Sequence, residues 1–114
     1  EAARQRIAQI NGCVFCLDMH YTDAKKMGIS EQKLYTLTAW HESPFFSDKE
    51  KAVLALTEAM TLVAEEGVDD DIYDEALAEL GEEDLAKAMM AICVINTWNR
   101  LMVATQAPPA SYKK

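Results

Sequence analysis

Apolar residues recur along this chain at spacings of three and four, and no stretch alternates them with polar residues at a spacing of two. That pattern predicts an all-α chain of about five helices with no sheet, the last pair meeting end to end at Gly81. The first helix covers residues 1–11, carries Ala3, Ile7 and Ile10 on one face, and stops at the turn-forming pair Asn11-Gly12. The second runs over residues 13–27 and ends at Gly28, with Lys25 and Lys26 suited to the negative end of the helix dipole. Ser30 caps a third helix over residues 30–41, with Leu34, Leu37 and Trp40 as its apolar positions, before Pro44 breaks it. Ser47 and Glu50 have the capping-box spacing and open a helix over residues 47–66, whose core face is Ala52, Val53, Leu56, Ala59, Met60 and Val63.

Asp69, Asp70 and Asp71 place negative charge where the next helix starts, and Ile72, Ala76, Leu77 and Leu80 form its stripe up to Gly81. The final helix, residues 82–106, contains AMMAICVI, which is apolar on every side and so belongs in a core or at a subunit interface. Cys93 within it reads as a core filler. The tail APPASYKK cannot continue a helix and is expected to fray.

The length of 114 residues suits one domain, 1–114, with a modest core that association between chains would extend. Acidic residues outnumber basic ones 19 to 11, and the cations are scattered, which argues against a nucleic-acid partner. No apolar run approaches the roughly 18 residues a membrane-spanning helix needs, so no membrane association is expected and the expected location is the cytoplasm. The chain opens inside a helix and without methionine, so a segment ahead of Glu1 is expected to be missing.

Three cysteines are not a secreted disulfide framework, and two of them sit in INGCVFCLDMH. On a helix, Cys13, Cys16, Leu17, His20, Ala24 and Met27 form one stripe, so both sulfurs and the imidazole face the same way. The start of a helix favours thiolate over thiol, and His20, one turn beyond Cys16, is placed to take its proton or stabilise its anion. Cys13 would then supply a second sulfur to close a disulfide on an oxidised Cys16. A structural zinc site would have only His20 and His41 to draw on besides the cysteines, and no second cysteine pair exists. From spacing alone, redox chemistry, zinc and inert buried sulfur all stay open.

The segments EAARQRIAQINGCVFCLDMHYTDAKKMGIS, LTAWHESPFFSDKEKAVLALTEAMT and ICVINTWNRL resemble the AhpD-like alkylhydroperoxidase branch of the carboxymuconolactone decarboxylase superfamily. The motif is a glutamate, eleven residues, Cys-x-x-Cys, three residues and a histidine, here Glu1, Cys13, Cys16 and His20. The resemblance implies an all-helical fold, assembly into trimers or hexamers, and thiol-dependent reduction of hydroperoxides. It implies Cys16 as the peroxidatic cysteine, Cys13 as its more accessible disulfide partner, and His20 with Glu1 as a proton relay. It implies no bound cofactor or metal, but an external thiol reductant such as a lipoyl-bearing protein. Phe15 stands where the fullest relay has a histidine, which puts peroxidase efficiency in question more than disulfide exchange.

Glu1 would have to reach the cysteines from the first helix, along a face shared with Gln5, Ala8 and Gly12, where the small residues would let the two helices approach. Asn96, Trp98, Asn99 and Arg100 in NTWNRL match the family too, and the amides read as packing residues. Two other functions compete: lactone decarboxylation on the same fold, which would not need the cysteine pair, and a non-catalytic oligomeric module that senses redox state.

Overall fold

A computed structural model describes residues 2–112, and all regular structure among them is helical. The elements are α1 (Ala2–Asn11), α2 (Val14–Lys26), α3 (Glu31–Tyr35), a 3-10 turn (Leu37–Ala39), α4 (Asp48–Thr61), α5 (Val63–Glu66) and α6 (Asp70–Ala104). Inside α6, Gly81 has φ +81° and ψ 165°, so the helix is broken where the sequence places the junction. An L side chain would be strained at that φ.

Helix α1 lies in the middle and packs on α2, α4 and α6. Its Ile7 joins Leu56, Ala76, Leu85 and Ile92 in the main core, flanked by Ile72, Leu77 and Leu80 from the first half of α6. Leu37, Trp40, Phe46 and Leu54 form a second cluster under the 3-10 turn. The expected apolar positions Leu34, Leu37 and Trp40 are all buried, yet the helix carrying them stops at Tyr35. At the stop, the Thr36 hydroxyl donates back to the Gln32 carbonyl at 2.8 Å and meets the Ser43 hydroxyl, which ties the end of α3 to the segment beyond the 3-10 turn. Trp40 is instead fixed by its indole N–H, which donates to Glu58 Oε1 at 2.8 Å, and the Arg6 guanidinium donates to the same oxygen. Nothing in the spacing of Arg6, Trp40 and Glu58 pointed to this junction between α1, α4 and the intervening turn.

The capping box at Ser47 and Glu50 is complete, but the helix it opens breaks at Leu62 rather than running to residue 66. Ala52, Leu56 and Ala59 are buried and Met60 packs on the main core as expected, while Leu54 and Thr57 are buried in addition and Val63 is exposed. The buried surface is wider than one stripe because α4 packs between α1 and α6 and is covered on two sides.

Burial raises the Glu50 carboxyl, but the Lys33 ammonium and the Ser47 cap outweigh it, and the net shift is below the ordinary 4.5. A depressed carboxyl contributes stability above 4.5 that is lost as pH falls through its lower folded value. Glu50→Gln keeps an acceptor for the Ser47 N–H and loses the charge. Urea unfolding followed down through pH 4.5 is expected to show a shallower loss of stability in this variant than in the parent.

No helix among the described residues is long and apolar enough to cross a membrane. The tail leaves the helix as expected. Gln106 takes φ +55°, the Gln106 N–H donates to Val103 and the Ala107 N–H to Met102, and this Schellman closure turns residues 107–112 back toward α2.

Candidate active site

The site is built where α1 hands over to α2. Gly12 adopts φ +66°, and the Cys13 N–H returns to the Ala8 carbonyl at 3.2 Å, closing the end of α1. A Cβ on Gly12 would meet nothing within 4 Å, so glycine serves the backbone angle and not a close helix approach, which corrects the sequence expectation. Ala8, fully buried against the cysteines, is the small residue that does allow close contact. Gly12→Ala is expected to cost about 1–2 kcal/mol through the left-handed angle alone, measurable by denaturant unfolding.

Cys13 is the N-cap of α2, and its Sγ accepts the Cys16 N–H at 3.2 Å. Cys13 and Cys16 are joined as a disulfide with Cα atoms 5.2 Å apart. They form a small core of their own with Ala8, against which Phe15, Leu17 and Met102 pack. Ala24 and His20 continue the buried stripe of α2, but Met27 at its end is exposed. Cys13 is 1% exposed and Cys16 2%, so exposure within one chain does not distinguish the two sulfurs.

The two cysteines border different cavities. Cys16 and His20, one helical turn apart, line a cavity of about 310 Å³ with Phe15, Met19, Ile95, Trp98, Asn99 and Met102. Its walls are apolar apart from the imidazole, the Asn99 amide and the sulfur. Cys13 borders a second cavity of about 350 Å³, walled by Val14, Met102 and the returning tail from Gln106 to Tyr112.

Helix α6 holds this corner in register. The Asn11 amide donates to Asn96 Oδ1 at 3.0 Å and to Asn99 Oδ1 at 3.4 Å, which ties the residue before Gly12 to the last helix. Asn96 in turn donates to the Thr61 hydroxyl and the Ile92 carbonyl, and Arg100 donates to Asn96 Oδ1. The amides of NTWNRL therefore pack helices as expected, and Asn99, with no exposed surface, also walls the Cys16 cavity. Asn11 was seen in the sequence only as a turn former; its partners lie 85 and 88 residues away.

Cys93 corrects another expectation, for it is exposed. Helix α6 buries the line Leu85, Ile92, Asn96 and Asn99, and a residue one step from Ile92 is turned about 100° away from it. Glu1, assigned to the relay from the family resemblance, lies outside the described residues. His41 stacks on Trp40 with ring centroids 3.6 Å apart, away from the cysteine cavities. Among the described residues no three His, Cys, Asp or Glu side chains gather as metal ligands would.

The sequence profile of the Carboxymuconolactone decarboxylase family matches residues 2–59, which include α1, the cysteine pair and His20. The chain belongs to that family. This carboxymuconolactone decarboxylase family chain is 43% identical over 104 residues to the uncharacterized protein YdfG of Bacillus subtilis, covering 91% of itself and 71% of YdfG. It is 31% identical over 103 residues to the uncharacterized protein YnjA of Escherichia coli, covering 90% of itself and 56% of YnjA. It is also similar to the crystal structure of a protein of unknown function from Agrobacterium tumefaciens, a candidate for the antioxidant defence protein AhpD. The TM-score there is 0.93 at 36% identity, over 97% of this chain and 76% of the other. The chain is thus an AhpD-like member of the family with the expected all-α fold.

Proposed function

We propose that the protein is a thiol-dependent peroxidase that reduces alkyl hydroperoxides with the Cys13–Cys16 pair. The observation that carries this reading is a redox-closed cysteine pair whose Cys16 shares one apolar cavity with a buried histidine. The thiolate of Cys16 attacks the terminal oxygen of the hydroperoxide, the O–O bond breaks, and the departing alkoxide takes a proton from the His20 imidazolium to leave as alcohol. Cys16 is then a sulfenic acid; Cys13 gives up its thiol proton and attacks that sulfur, the S–O bond breaks, and the departing hydroxide takes up a proton to leave as water. A dithiol of the lipoyl type returns both electrons by exchange through Cys13 and leaves as its own cyclic disulfide. Glu1 would complete the proton relay on this reading.

On this reading the Cys16 N–H, which donates to Cys13 Sγ, would stabilise a Cys13 thiolate, and His20, which lines the same cavity as Cys16, would stabilise that of Cys16. The description of the Agrobacterium protein as an AhpD candidate agrees with this chemistry. The test is hydroperoxide consumption with dihydrolipoamide as reductant. The parent is expected to turn over and Cys16→Ser to show none; equal rates would refute the reading.

Assembly into a homo-oligomer belongs to the same proposal. Met90, Val94, Trp98 and Leu101 stand exposed in one line on α6, the apolar surface that an all-round hydrophobic helix leaves for another copy. Sedimentation velocity of the parent against Val94→Asp measures it, with a shift toward monomer expected.

A further inference from the structure

Among the described residues, Met102 is the one that walls both the Cys16 cavity and the Cys13 cavity. It is half-buried and packs on the cluster formed by Ala8 and the two cysteines. The two spaces differ in character. The Cys16 side is lined by Phe15, Met19, Ile95 and Trp98, whereas the Cys13 side is built from the tail that turns back just after Met102 and presents Gln106 and Tyr112.

We propose that Met102 is a specificity-determining partition, which directs an incoming thiol reductant to the Cys13 sulfur and keeps it from Cys16. This rests on the reading of the pair as an exchanging disulfide. When a reductant thiolate attacks Cys13, a bond forms between the two sulfurs, the Cys13–Cys16 bond breaks, and Cys16 departs with the electron pair as thiolate. A second thiol of the same reductant then displaces Cys13, so that two electrons have entered and Cys16 is ready for peroxide. Attack at Cys16 would leave the reductant on the peroxidatic sulfur and fill the cavity that takes the hydroperoxide until a second thiol displaces it.

Leaving-group chemistry does not choose between these courses. The Cys16 thiolate is stabilised from the His20 side and the Cys13 thiolate by the Cys16 N–H, so both are able to depart. Approach decides, and a side chain standing between the two cavities sets the approach. Methionine suits the task because its unbranched thioether fills an irregular gap against the cystine from both sides.

The experiment uses the oxidised full chain carrying Cys93→Ser, so that only the pair reacts. Glutathione is added with excess iodoacetamide, which alkylates whichever cysteine is freed, and fragmentation mass spectrometry locates the glutathionyl and alkyl groups. The bias toward glutathionyl-Cys13 with alkylated Cys16 is expected to be about tenfold or more in the parent, falling to within about twofold in Met102→Ala and persisting in Met102→Leu. Val14→Trp, an exposed change that narrows only the Cys13 cavity, is expected to slow the Cys13 product about tenfold, and it keeps the test open if Met102→Ala does not fold. No preference in the parent, or a preference that neither Met102→Ala nor Val14→Trp alters, would overturn the proposal. No hydroperoxide enters this assay, so a protein that shows the bias but reduces no hydroperoxide would separate the two readings.

Discussion

Cys16→Ser and Cys13→Ser are expected to fail in different ways. Serine at 16 removes the nucleophile, because an alcohol one turn from an imidazole does not attack a peroxide oxygen at a useful rate, and hydroperoxide loss should fall by about 10³-fold or more. Serine at 13 leaves Cys16 and His20 in their shared cavity, so the first equivalent of hydroperoxide should still be consumed rapidly. The cycle then stalls at the sulfenic acid, which lacks its internal thiol and is open to further oxidation. Stopped-flow measurement of peroxide loss, with dimedone labelling of the sulfenic acid, reads both outcomes. A burst in Cys16→Ser, or a label on Cys13 in that variant, would reverse the assignment of the two sulfurs.

Asn96→Leu is expected to be the most destabilising substitution outside the apolar core. The Asn96 amide accepts from Asn11 and Arg100 and donates to Thr61, so a leucine of similar size strips partners from three groups at once. Thr61 is 5% exposed and has little water to replace the bond. A loss of about 2–4 kcal/mol follows from leaving such groups unsatisfied, near ten degrees in the melting midpoint of a domain this size. The same bond network holds the turn at Gly12, so reoxidation of the Cys13–Cys16 pair should slow in this variant even below its melting range. Asn99→Leu should be milder in stability, since Asn11 reaches Asn99 at 3.4 Å and Asn96 at 3.0 Å. It would instead change the wall of the Cys16 cavity.

The site was legible in the sequence to the extent that it is local. Cys13, Cys16 and His20 lie within two helical turns, and the helical repeat alone brings Cys16 and His20 to one side. The same repeat misplaced Cys93, because it reports an apolar segment without saying which of its faces other helices cover. It also extended the third helix too far, since Leu37 and Trp40 keep the apolar spacing while the backbone carrying them turns into a 3-10 segment. The prolines of the tail exclude helix, as the sequence says, but its return toward Cys13 is set by the closure after Met102 and not by them.

The amino-acid sequence by itself determined the helical class, the break at Gly81, the capping box at Ser47 and the pairing of two cysteines with a histidine on one helix. These follow from local backbone preference and short-range periodicity, to which distant residues contribute little. Only the tertiary structure decided that the two cysteines border separate cavities with Met102 between them, that Asn11 is held by Asn96 and Asn99, and that Glu58 joins Arg6 to Trp40. Those relations depend on which faces of α1, α4 and α6 come together, and packing across tens of residues leaves no spacing in the chain by which to read them.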